Sequence, residues 1–580
     1  MRRWPLVLLS LNCLTLVGSR VSTKPWHYDK AARMKAREQR ELPHTFVKAG
    51  LIRGTRAQVN SRPIDVYYAI PFALPPVGPF RFRKPVPVKR WKGILDATRP
   101  GPPCTQKDVQ VNQFYSRDSV NSTEDCLHLN VFTAARYCFS QNLLHCGSKP
   151  VIVFLHGGGF QNGGNSDFVL DSKHLAVMGD VVVVIPNYRL NVFGFLNGNV
   201  TEEVPGNMGL YDQILALEWI QKNIASFGGD PRRVTVFGQG AGAVSTGYHL
   251  ISPMSRGLFK RAILQSGSPY WKLPDNTFTG KMKVQQLALE LGCDEYIVRG
   301  QVLAYPREVM KCLRRIPSHT LYEAMAKVFG SEGSTMIPSY FNELLPNEPI
   351  TSCEKGHYEN NVDVLVGTVT DEGTLPVDQF FWKLFALDSF FSVPVSDIWF
   401  YASLFFQSVL GRSVEPVRGL YADTNGDNSS TSAKDAVEAV AAAVGDFGVV
   451  CPSSYFADSY SKRGNRVWLY QFDHRPSYSA SPEWTGVVHG DDVGFALGYP
   501  LWQKSSTEEE KLLSRRVIRI YAHFAHTGQP PTVNGDVWHP YTTNKPHYLQ
   551  ITAKNYTVHK SSMRPGYCEF WRAYLLPKKL

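Results

Sequence analysis

The run Gly238-Gln239-Gly240-Ala241-Gly242 follows a β-branched segment, Val234–Phe237, and leads into a helical stretch. A strand, a tight turn and a helix are the setting in which Gly-x-Ser-x-Gly lifts a serine hydroxyl above a sheet as a nucleophile. Here the serine position is Gly240. A second glycine-rich run, His156-Gly157-Gly158-Gly159-Phe160, also follows a strand-like segment, as an oxyanion-binding loop does. The backbone N–H groups of Gly158, Gly159 and Ala241 are thereby expected to converge on one carbonyl oxygen. Glycine has no hydroxyl to acylate, so the covalent route is closed at this turn. Other constellations lead nowhere. No Gly-Lys-Ser or Gly-Lys-Thr follows Gly163-Gly164, which argues against a phosphate cradle. Asp423, Asn425 and Asp427 begin like a calcium loop, but its glycine, Gly426, falls early and Lys434 stands where a bidentate carboxylate is required. His523 and His526 share a helix face without further ligands. Neither a metal nor a cofactor is expected.

Such turns need a sheet to hold them. Short apolar runs recur at Val151–Leu155, Val181–Ile185, Val234–Phe237, Ala262–Leu264, Val362–Val366 and Val467–Phe472, with helix-length stretches between them. They do not alternate, as expected of strands covered on both faces. The pattern predicts an α/β protein with a central, mostly parallel sheet wrapped by helices, and chemistry at the carboxyl ends of the strands.

The chain has 580 residues and 43% apolar content, enough for a large core. Arg2 and Arg3, an apolar run to Val17, and Gly18-Ser19 read as a secretory signal peptide over residues 1–19. No later stretch reads as the ~20 consecutive apolar residues of a spanning helix, so a secreted, extracellular protein is expected. Residues 20–45 read as a basic N-terminal arm and 46–580 as a single domain. Asn121, Asn199, Asn428 and Asn555 each begin an Asn-x-Ser/Thr glycosylation triplet. With Cys13 in the signal, nine cysteines remain, and in an oxidising compartment one of them must stay free or bridge chains. The net charge is +12, and residues 20–42 hold seven Lys/Arg against three Asp/Glu, a segment suited to acidic glycans or lipid headgroups, although a merely solvated arm is the plainer reading. Thr507 to His526 reads as an amphipathic helix and suggests a homodimer, although the same stripe would serve equally to pack on its own core.

Further segments occur in a fixed order: Ala69-Ile70-Pro71-Phe72 before Pro75-Pro76-Val77-Gly78, Glu124-Asp125-Cys126-Leu127, Pro205-Gly206-Asn207, and Phe227-Gly228-Gly229-Asp230-Pro231. After them come Gln265-Ser266-Gly267, Asp371-Glu372-Gly373, Val488-His489-Gly490-Asp491 and Cys568-Glu569-Phe570-Trp571. With these the chain resembles the type-B carboxylesterase and cholinesterase family from about Phe46 to its end. The resemblance implies the α/β-hydrolase fold and places the family's serine, glutamate and histidine triad at Gly240, Glu372 and His489. Losing the nucleophile of such a triad costs on the order of 10⁶ in kcat, so the expected protein is catalytically inactive, like the neuroligin-, gliotactin- and glutactin-like members. The alternative is an ester hydrolase with another nucleophile, for which Ser245 is the nearest candidate, or with a variant codon at 240. The family's acidic residue before the serine is Gln239 here. Its upstream tryptophan has only Phe114 and Tyr115 nearby, which disfavours a choline-like substrate. The resemblance also implies the disulfides Cys104–Cys126, Cys293–Cys312 and Cys451–Cys568. Cys138 and Cys146 would close a short insertion, and Cys353 would be left over, unless it pairs with one of those two. The expected partner is an extracellular protein, an acidic glycan or a small apolar ligand in the old gorge, not a nucleic acid.

Overall fold

A strand that is apolar at every position is satisfied only when both of its faces are covered. The computed structural model describes residues 42–107, 122–134, 148–198, 203–271, 277–293, 306–330, 336–358, 362–378, 393–410, 415–422 and 432–576. Among them are fourteen strands: β1 (His44–Val47), β2 (Gly50–Arg53), β3 (Thr55–Val59), β4 (Arg62–Pro71), β5 (Ile94–Asp96), β6 (His128–Thr133), β7 (Lys149–Leu155), β8 (Val182–Pro186), β9 (Gly229–Gln239), β10 (Arg261–Gln265), β11 (Asp363–Val369), β12 (Val467–Phe472), β13 (Tyr548–Ile551) and β14 (Tyr556–His559). Eleven of these form one sheet in the order β14-β13-β12-β11-β10-β9-β7-β8-β6-β4-β3, and β1, β2 and β5 form a small separate one. From β8 to β13 every neighbouring pair is parallel. The margins, β3/β4/β6/β8 at one side and β13/β14 at the other, are antiparallel.

The side chains of one strand feed two cores. Val151, Val153 and Leu155 of β7 join the core on one face, while Ile152 and Phe154 join the other. Helices Met208–Asn223, Ala241–Ile251 and Cys451–Lys462 contribute to the first core, and Lys173–Met178, Asp491–Leu497 and Glu508–Thr527 to the second. From His44 onward the chain is one compact unit. The strand order turns around at β7, which has β8 on one side and β9 on the other. Such a switch point opens a crevice at the carboxyl ends of the two strands.

Two sequence expectations change here. Helix Glu508–Thr527 is present, with a capping box between Thr507 and Glu510, but Leu513, Val517, Ile520, Tyr521 and Phe524 on its apolar stripe are buried in its own core. The stripe therefore gives no support to a homodimer. In addition, the continuous helical run Ala433–Lys462 is long and apolar enough to cross a membrane by length and composition, with mean hydropathy 1.4, where the sequence suggested no such segment. Two thirds of its most apolar window (67%) is buried inside the fold, which is the signature of a core helix. The signal peptide, the arm up to residue 41, Asn121, Asn199, Asn428, Cys138, Cys146, Phe114, Tyr115 and Asp423–Asp427 lie outside the described residues.

Candidate functional site

β9 ends at Gln239, and helix Ala241–Ile251 starts two residues later. Gly240 between them has φ +53° and ψ −118°, in the left-handed half of dihedral space that side chains avoid. Its N–H donates to the Gln265 carbonyl at 2.9 Å, and its carbonyl accepts from Val244 N–H at 2.9 Å, so the turn is fixed from the neighbouring strand and from the helix. The helix lies so close to β7 that a Cβ on Gly242 would stand 2.0 Å from the Leu155 carbonyl oxygen. The expected strand, sharp turn and helix are thus all in place around a residue without a side chain. Gly158 (φ +107°) and Gly159 (φ +61°) follow β7, the neighbour of β9. Among the described residues neither of their N–H groups has an acceptor. The Ala241 N–H, at the first position of its helix, has no intrahelical acceptor either.

The loops after β11 and β12 bring Glu372 and His489 together. Asp371 N–H donates to the Val487 carbonyl at 3.1 Å, and Val487 N–H donates to the Asp371 carboxylate at 2.9 Å, so the two loops are laced side by side. His489 Nδ1 then lies 2.6 Å from Glu372 Oε2, and Glu372 Oε1 accepts from Val369 N–H at 2.9 Å. Glu372 is almost fully buried, while the His489 side chain is 27% exposed. With the carboxylate as acceptor, Nδ1 carries the proton and Nε2 faces the turn. Burial pushes this imidazole towards its neutral form, but the Glu372 carboxylate, together with Asp492 and Asp491, holds the pKa above the ordinary histidine value. Nε2 is 2.9 Å from the side-chain nitrogen of Gln239, and a Cβ built on Gly240 would also be 2.9 Å from it.

Beneath the histidine is a pair of acids that sequence reasoning missed. Asp492 is buried and accepts from Gln265 Nε2 and from the Tyr470 hydroxyl, both at 3.0 Å. Burial, reinforced by the Glu372 charge, raises its carboxyl to about 7. Asp491, whose Oδ2 accepts from Val488 N–H at 2.8 Å, is raised by burial to about 8. The signal was the acidic doublet directly after His489-Gly490.

Ser245 is fully buried inside helix Ala241–Ile251 and accepts a hydrogen bond from Gln213 Nε2 at 3.2 Å. It is a core group. The disulfides Cys104–Cys126, Cys293–Cys312 and Cys451–Cys568 are formed, and Cys353 is a buried free thiol. His526 bonds the Gly179 carbonyl at 3.0 Å, and among the described residues no group of three potential metal ligands occurs. Asn555 is exposed, beside β14.

A doubly covered, mostly parallel sheet with a strand-to-helix turn, an acid–histidine pair and a glycine loop at its switch point defines an α/β-hydrolase scaffold. The chain belongs to the carboxylesterase family, whose model matches residues 41–571. It is 34% identical over 541 residues to acetylcholinesterase-1 of Trittame loki, covering 92% of this chain and 94% of that protein. It is 35% identical over 555 residues to the acetylcholinesterase of Bungarus fasciatus, with 92% and 86% covered. The acetylcholinesterase of Leptinotarsa decemlineata is 34% identical over 570 residues, with 91% and 85% covered.

Proposed function

We propose that this chain is a secreted, catalytically inactive cholinesterase-like protein that works by binding an extracellular partner. The observation that carries the reading is Gly240: the turn, the Glu372–His489 pair and the glycine loop are formed around a position with no hydroxyl. Acyl transfer on this scaffold runs through a serine ester, and the histidine's part is to take the serine proton. Without the hydroxyl, His489 has only water to activate. Ser245 does not replace it, because its side chain is buried and bonded to Gln213. The three disulfides among the described residues and the basic net charge of +12 agree with secretion and with an acidic glycan or protein partner.

The ester-hydrolase reading rests on one observation, the unbroken 2.6 Å pair of His489 and Glu372, together with relatives named acetylcholinesterases. A fluorophosphonate probe decides between them. The native chain, confirmed to have glycine at 240, should show no adduct by intact mass and no turnover of acetyl or butyryl esters. A covalent adduct on any serine overturns the proposal.

A further inference from the structure

Resting on the reading of an inactive site, we infer that the turn is silenced twice, and that Gln239 is the second device: its amide occupies the one in-plane hydrogen-bonding direction of His489 Nε2, the direction a nucleophile's proton would need. Three distances carry this. Glu372 Oε2 at 2.6 Å fixes Nδ1, so the ring cannot turn about to offer its other nitrogen. The Gln239 amide nitrogen at 2.9 Å caps Nε2. The position of a Cβ on residue 240 is 2.9 Å from the same Nε2, inside the closest approach that a carbon and this ring tolerate, so the imidazole stands in space a serine would fill. A ring nitrogen makes a single in-plane hydrogen bond, as donor or as acceptor. Whichever way the amide is turned, that bond is taken.

Gln239 is well placed to hold it. It is the last residue of β9, is buried, and its amide also lies against Gly490, 3.5 Å from where a Cβ would stand there. Gln239 is therefore a positioning residue acting through His489. Restoring serine alone leaves the base capped. Restoring serine and removing the amide frees it.

The test compares the native chain, Gly240→Ser and Gln239→Ala/Gly240→Ser by the rate of fluorophosphonate labelling across pH. In that step the serine Oγ–P bond forms, the P–F bond breaks with loss of fluoride, and the hydroxyl proton passes to His489 Nε2. Freeing one hydrogen-bonded nitrogen should make the double variant react about tenfold faster than Gly240→Ser. As oriented, the amide N–H stabilises the neutral ring, so its removal should also move the labelling midpoint to higher pH. Equal rates and an unchanged midpoint overturn the inference. Labelling of the native chain would instead overturn the reading of an inactive site. Should the double variant fold poorly, Gln239→Ala in the glycine background serves: the His489 Nε2 ¹⁵N resonance must move, and an unmoved one overturns the inference.

Discussion

At position 240 two effects of opposite sign compete. A non-glycine residue held at φ +53°, ψ −118° is strained, which costs of order 1–3 kcal/mol. Glycine in turn loses more chain entropy on folding, a difference of ~0.4–1 kcal/mol in favour of serine. The strain is larger, and the crowding of Cβ against His489 Nε2 adds to it. Gly240→Ser should therefore lower the melting temperature, by roughly 1 kcal/mol of stability once the two terms are set against each other. A variant melting at or above the parent temperature would mean that the turn is not strained. Asp491 and Asp492 make a different prediction. Their carboxyls are raised to about 8 and about 7, whereas an unfolded aspartate titrates near ~4. Between those values the folded chain holds protons the unfolded chain has released, so stability is fullest below about pH 4 and falls as pH rises towards about 8. Asp492→Asn removes one such group, and its melting temperature should decline less steeply from about pH 5 to about pH 8 than that of the parent. An unchanged slope would show that Asp492 is already ionised in the folded chain across this range, with a pKa no higher than that of an unfolded aspartate.

Between helix and strand, contact distance governs what sequence is allowed. Helix Ala241–Ile251 sits where a Cβ on Gly242 would stand 2.0 Å from the Leu155 carbonyl oxygen, and backbone cannot yield as a flexible side chain would. Gly242→Ala should force the helix off β7 and cost ~1–3 kcal/mol, as overpacking does. Denaturant melts that match the parent would disprove the close approach. The same elements explain what could be read in advance. β7 to β12 were legible because alternate side chains serve two cores, which makes each strand an unbroken apolar run. β6 was not, because His128 and Asn130 interrupt it. The fold accepts Asn130 by bonding it to Ala69 N–H and the Asn165 carbonyl, partners that no local pattern announces. β13 and β14 are four-residue strands, antiparallel to each other at a margin, and too short to register. In the site, Gly240 stood out from its neighbours alone. Glu372 and His489, 117 residues apart, were found only through the order of matched segments, and the Gln239 contact with His489 only through geometry.

Over the whole molecule, residues far apart along the sequence are tied together. Cys451, at the start of helix Cys451–Lys462, is bonded to Cys568 in helix Pro565–Leu575, across a separation of 117 residues. Next to that bond Trp571 is fully buried, with ring contacts to Phe406 and Phe447 at 5.4 and 5.1 Å. A cross-link closing a loop of this size contributes about 4–5 kcal/mol on the chain-entropy account. Cys451→Ser should sharply lower thermal stability or block secretion, and unchanged melting and yield would show that the link is dispensable. The same separation sets an order of events during synthesis. Cys451 leaves the ribosome well before Cys568 exists, and at ~5–20 residues per second it waits several seconds or more as an unpaired thiol. Cys353 is already present during that interval, on helix Pro349–Lys355, whose Cys353 carbonyl accepts from Ser459 of the very helix that Cys451 begins. The nascent chain thus has a wrong partner at hand before the right one has been made, and a Cys353–Cys451 link formed in that interval would have to be undone by thiol–disulfide exchange before the native bond could close.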